Sequence, residues 1–120
     1  MQTQGRRLVR TKDTPFGPYD LEGPLQPEFG LILLSYDRET GNGSYLMRLD
    51  PGSETITHTH GGTEDFYVIA GALIDGDGSV FGPGDFVSYQ PGTRHNSRTE
   101  TGCVLLVCEW GKAAMEKTLS

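Results

Sequence analysis

The chain is short of the residue types that several functions demand. Lys and Arg number 10 against 16 Asp and Glu, which leaves a formal net charge of −6 over 120 residues. Binding a phosphate backbone runs on Lys and Arg, so this balance speaks against nucleic acid as a partner. The one basic cluster, Arg6, Arg7, Arg10 and Lys12, is small and reads as a solvated tail. Long apolar runs are missing too. Nothing approaches the ~18 residues of a membrane span, and no apolar core of a signal peptide opens the chain. The expectation is a cytoplasmic protein with no membrane partner. Cysteine is scarce: only Cys103 and Cys108 occur, five positions apart in one apolar run. An odd offset on a strand sends them to opposite faces, so we expect two reduced thiols and no bridge between them.

What is abundant is glycine, 17 of 120, with Pro and Asp marking off short apolar runs. That pattern reads as all-β in one domain, with turns every 8 to 12 residues or so. Strands are expected at Phe29 to Tyr36, Tyr45 to Leu49, Thr55 to His60, Glu64 to Ala70, Ala72 to Ile74, Ser79 to Val80, Phe86 to Tyr89, Arg94 to Arg98 and Cys103 to Trp110. Glu39 to Gly43 reads as a hairpin turn, because Gly and Asn tolerate positive φ. Asp75-Gly76-Asp77-Gly78 reads as a hairpin tip; it lacks the downstream acid of a calcium loop. Residues 1–28, with four prolines, read as an irregular arm, 29–110 as a β-barrel and 111–120 as a short tail with helical tendency from Lys112 to Leu119.

Histidine is nearly as scarce as cysteine, three against two, and here scarcity informs. All three histidines fall in one spacing: Gly52-x5-His58-x-His60-x3-Glu64-x6-Gly71, then Gly84-x7-Gly92-x2-His95. His58 and His60 are two apart and share a face on a strand. Three imidazoles and one carboxylate suit a divalent transition metal such as Fe2+, Ni2+, Cu2+, Mn2+ or Zn2+. Four protein ligands, His58, His60, Glu64 and His95, leave a five- or six-coordinate ion open to a substrate. Phe66 and Val68 share the face of Glu64 and should line an apolar pocket, while Asp65 should face outward. Arg48, Tyr89, Arg94, Arg98 and Trp110 are weaker candidates for substrate contact, with packing or surface roles at least as well supported.

This spacing resembles the two signature motifs of the cupin superfamily. The first is met at every fixed position. The second has Gln90 where a proline is expected and Thr99 where an asparagine is expected. The resemblance implies a double-stranded β-helix, the jelly-roll barrel of the RmlC-like proteins. The runs Arg48 to Gly52, His58 to Glu64, Gly82 to Asp85, Pro91 to His95 and Thr101 to Val107 are similar to one cupin branch. That branch holds the cupin domain of ChrR-type anti-sigma factors and small acetylacetone dioxygenase-like enzymes. The anti-sigma relatives carry a helical zinc domain ahead of the cupin, whereas 28 residues precede the first long strand here. The dioxygenases hold iron with three histidines alone, so Glu64 departs from them. The resemblance also implies a homodimer. The expectation is a metal-dependent enzyme of the Fe(II) dioxygenase type, acting on a small chelating organic molecule, with Glu64 as ligand or base. Two alternatives stay open. One is an oxygen-independent lyase, isomerase or hydrolase using the metal as Lewis acid; the other is a non-catalytic metal- or ligand-binding sensor.

Overall fold

The computed structural model describes residues 4–115. After a single 3-10 turn at Thr11–Asp13, the elements run β1 (Gly17–Pro18), β2 (Phe29–Asp37), β3 (Asn42–Leu49), β4 (His58–Thr59), β5 (Glu64–Gly71) and β6 (Leu73–Asp75). They continue with β7 (Val80–Phe81), β8 (Phe86–Tyr89), β9 (Arg94–His95), β10 (Ser97–Arg98), β11 (Cys103–Trp110) and β12 (Ala114–Met115). The order in the large sheet is β1-β2-β3-β11-β5-β8, and two small sheets run β10-β6-β7 and β12-β4-β9. The expected all-β barrel is therefore present. Among the described residues, no helix is long and apolar enough to cross a membrane.

The period of two in the long strands decides what lies inside. In β11, Cys103, Leu105, Val107 and Glu109 are buried, and the residues between them are more open. Antiparallel register carries this alternation across the sheet in rows. Phe29, Leu49, Cys103 and Gly71 oppose one another in one row. Leu31, Met47, Leu105 and Val68 form the next, and Leu33, Tyr45, Val107, Phe66 and Val87 the third. Leu49 and Val68 are the most deeply buried aliphatics, at 1% and 0% exposure. Each such side chain contributes roughly 1.5–3 kcal/mol by leaving water.

A fourth row at one end of the barrel is polar: Tyr36, Gly43, Glu109, Glu64 and Tyr89. The opposite face of the sheet has an apolar row of its own, in which Ile32, Leu46, Leu106, Tyr67 and Phe86 stand side by side. Its far half is open to solvent, with Tyr67 44% and Phe86 63% exposed.

Most of the expected strands form. The second begins earlier than expected, because Asn42 pairs with Asp37 and the hairpin turn narrows to residues 38–41. The first-ligand segment is regular only at His58–Thr59, and Glu54 upstream makes a lone bridge to Arg98. Two pairs escaped the sequence pattern. β1 lies in the arm and pairs with β2, and β12 pairs with β4. Both are too short to show an alternation. Of the tail expected to turn helical, Ala114–Met115 is extended, and the residues after it lie outside those described. Cys103 is buried and Cys108 is half-buried on the other face, both free thiols as expected.

Candidate metal centre

Two sheets meet to build the site. His58 and His95 face each other across the β4–β9 pair. His60 follows β4 directly and is pinned by its backbone, its N–H donating to Thr93 O at 2.9 Å and its carbonyl accepting from Gly92 at 2.8 Å. The Gly61-Gly62 break then lets the chain turn into β5. At Gly62 a Cβ would lie 1.4 Å from the Trp110 carbonyl oxygen, so only glycine lets β11 pass this closely. Glu64 opens β5 immediately beyond.

The ligand atoms of His58, His60 and His95 all lie within 4.8 Å of one another. Nε2 of His60 and Nε2 of His95 are 2.8 Å apart. Two ring nitrogens this close either share a proton or turn their lone pairs toward one cation. In His58 and His95 the other ring nitrogen is occupied in a way that aims the Nε2 lone pair inward. Nδ1 of His58 sits 2.8 Å from Ile56 O, and Nδ1 of His95 sits 2.8 Å from Oδ1 of Asp75. A carboxylate or carbonyl on the remote nitrogen fixes the tautomer that leaves Nε2 free for a metal.

Electrostatics favours the neutral rings as well. Burial lowers His58 below its usual value, against the hydrogen bond to Ile56. Burial, then the neighbouring His58 and His95, lowers His60 to about 4. Neutral imidazoles are the form that borderline divalent ions bind, so the donor set fits such an ion.

Asp75 organises one side of the site. Besides His95 it takes Ser97 Oγ–H at 2.9 Å and the Tyr89 hydroxyl at 2.8 Å. Burial acts to raise the Asp75 carboxyl, but these hydrogen bonds outweigh it and hold the group below its ordinary value. The Tyr89 ring stacks on His60, 5.3 Å between centroids and 9° between planes, and lies 4.1 Å from His95.

Glu64 lies against His60 alone, its Oε2 3.6 Å from Nδ1, and its carboxylate is not among the donor atoms that converge, so the expected set of four ligands is reduced to the three histidines. On the adjacent strand it is opposed by Glu109. Burial, then Glu109, raises Glu64 well above the usual carboxylate range, and burial raises Glu109. Tyr45 donates its hydroxyl to Oε1 of Glu109 at 2.5 Å. Behind these groups the barrel holds a chamber whose central void measures about 60 Å³, lined by Phe66, Met47, Leu105 and Val107 among others. One water takes roughly 10–15 Å³ on the same measure, so the void has room for a small organic molecule.

These features agree with the family evidence. The sequence model of the ChrR Cupin-like domain matches residues 4–113. The chain belongs to that family. No curated protein matches it. Among solved structures, an RmlC-like cupin protein from Ralstonia eutropha JMP134 aligns at a TM-score of 0.76 and 22% identity, over 88% of this chain and 69% of that one. An acetylacetone dioxygenase from Acinetobacter johnsonii aligns at 0.77 and 15% identity, over 96% and 80%. The complex of Rhodobacter sphaeroides SigE with the anti-sigma ChrR aligns at 0.63 and 23%, over 83% of this chain and half, 50%, of that chain. Likeness at these identities speaks for the cupin fold.

In this cupin, the sequence pattern found the three histidines that converge. The motif also picked out Glu64, which lies against His60. Of the weaker candidates, Tyr89 is at the site. Arg48 instead pairs with Asp50 at 3.0 Å and lies over the Phe16 ring, Arg98 pairs with Glu100 at 3.2 Å, and Trp110 is 53% exposed. Arg94 is on the neighbouring position of β9 with its side chain exposed. Two groups were missed. The sequence marks Asp75 only as part of a hairpin tip. Glu109 carried a signal, since it is in phase with the inward Cys103, Leu105 and Val107.

Proposed function

We propose that this protein is a metal-dependent cupin enzyme of the Fe(II) dioxygenase type, acting on a small organic molecule that chelates the ion. In this reading His58, His60 and His95 hold one divalent metal, and Glu64 serves as a base. The observation that carries it is three converging imidazoles, two of which, His58 and His95, line an apolar chamber. A divalent ion held there supplies Lewis acidity and open positions for a chelating substrate and O2. The chain's own residues do the rest. Ile56 and Asp75 orient His58 and His95, the Tyr89 ring flanks His60 and His95, and the apolar rows exclude water. Glu64, whose carboxyl burial and Glu109 raise well above the usual range, is suited to take or return a proton at the chamber wall.

A second reading, a metal- or ligand-binding regulatory cupin, is supported by the family match to the ChrR Cupin-like domain. In both readings the protein is a cytoplasmic homodimer. The half-exposed row ending in Tyr67 and Phe86 supports a second copy against the outer face of the large sheet.

The test is the metal content of protein purified without added metal and without oxygen, beside a His58→Ala control. Near-stoichiometric iron, absent from the control, together with oxygen uptake on pentane-2,4-dione or catechol, is the expected result. Metal without turnover under O2 moves the protein to the regulatory reading. Turnover without O2 makes it an oxygen-independent enzyme. No metal in either sample overturns the metal reading as a whole.

A further inference from the structure

The two ends of the chamber differ in chemistry. His58 and His95 line it at one end, where the Tyr89 ring of the polar row lies 4.1 Å from that of His95. Toward the other end the wall runs through Met47 and Leu105 to Phe29, Leu49 and Leu73. The polar side chains set along this wall are already engaged. The Thr55 hydroxyl donates to Ser97 O at 3.2 Å, and the Ser97 hydroxyl donates to Oδ1 of Asp75 at 2.9 Å. Tyr45 donates to Glu109, and the Gln26 amide donates to Oε1 of Glu28 at 3.0 Å. A ligand oxygen carried past the histidines gives up water and finds these donors taken. A methylene in the same place gains by leaving water. At about 60 Å³, the void holds about four to six groups the size of a water, each taking roughly 10–15 Å³.

We propose that the chamber selects its ligand by the length of an apolar tail, and that Met47 sets the limit. The inference rests on the reading of the chamber as a substrate site and names the class of substrate. The ligand is a short amphiphile, with its polar head at His58 and His95 and a tail of about four to six non-hydrogen atoms behind it. Met47 is 9% exposed and stands abreast of Leu105 and Leu31, in the row between those of Tyr45 and Leu49. Its unbranched side chain fills space without a fixed shape. Truncating it to Ala removes about three non-hydrogen atoms from the wall and extends the void toward Leu49. A tail that is polar at its far end is rejected, because that group goes unpaired.

The test uses the full chain, zinc-loaded and metal-free, at pH 7. The probes are the straight-chain alcohols from ethanol to octan-1-ol, with butane-1,4-diol as the probe that is polar at both ends. Amide shifts of β3, β5 and β11 report occupancy. Affinity should rise about fourfold with each added methylene, the transfer free energy of one CH2, and stop rising at about four to six carbons. The diol should bind about tenfold or more weakly than butan-1-ol, the scale of one unpaired polar group. Met47→Ala should move the break about two or three carbons further along the series. A rise unbroken to octan-1-ol, no shift at any length, or a diol that binds like butan-1-ol would each overturn the proposal. So would a break that stays in place in folded Met47→Ala. The wild-type series decides even where that variant fails to fold. Zinc content measured on the same samples keeps this failure apart from failure of the metal reading.

Discussion

At the scale of single residues, the site is governed by what stands behind each donor. Asp75 does not itself line the chamber, yet it joins His95, Ser97 and Tyr89 through three hydrogen bonds of 2.8–2.9 Å. Removing its charge should loosen the His95 ring and weaken its basicity. Asp75→Asn is expected to lower metal affinity by about 10–100-fold while the fold persists, read by competition against a chelator of known strength. An affinity equal to the wild type would show that His95 is oriented by packing alone. The histidines could be read from the sequence because their spacing is local. Asp75 could not, because its partners lie 14 to 22 positions away and meet it only in the folded chain.

At the scale of elements, glycines set how closely strands pass. Gly71 takes φ +75°, and a Cβ there would sit 2.0 Å from the Gly102 oxygen, so the β5 end and the β11 start meet only through glycine. Gly62 is more consequential, since it brings the Trp110 end of β11 against the segment between His60 and Glu64. Gly62→Ala should destabilise by about 1–3 kcal/mol through overpacking, and weaken metal binding as the His60–Glu64 segment shifts. Gly82, where a Cβ meets nothing within 4 Å and φ is not positive, is the control. Gly82→Ala should be no less stable than wild type in chemical denaturation. Equal losses in the two variants would remove the steric argument. The long strands were legible because eight or nine alternating residues carry a period; β1 and β12, at two residues each, cannot.

At the scale of the whole molecule, buried acids couple stability to pH. Burial, then Glu109, raises Glu22 from 4.5 to about 7, against its hydrogen bond from Ala113. A raised folded pKa means the folded state binds the extra proton. Its contribution is fully present below pH 4.5 and is lost as pH rises through about 7. Glu22→Gln abolishes that loss. The variant's melting temperature should match the wild type near pH 4.5 and exceed it near pH 8. A difference independent of pH would show that Glu22 does not titrate in this range. Assembly belongs to this scale as well. Sedimentation is expected to give twice the 13.1 kDa chain mass, and Phe86→Lys should return it to the monomer. A wild-type monomer would leave Tyr67 and Phe86 facing solvent.

The sequence by itself determined the all-β barrel, its inward faces and the three histidines, because strand alternation and a short motif are properties of neighbours along the chain. It also brought Glu64 to attention through the same motif. Only the tertiary structure decided that Glu64 meets Glu109, 45 positions later, since strand register pairs β5 with β11 across the sheet. It likewise decided that Asp75 holds His95, and that Glu22, Glu64 and Glu109 line an apolar chamber together. These are relations between distant segments, set by which strands pair and in what register, and one-dimensional spacing does not encode them.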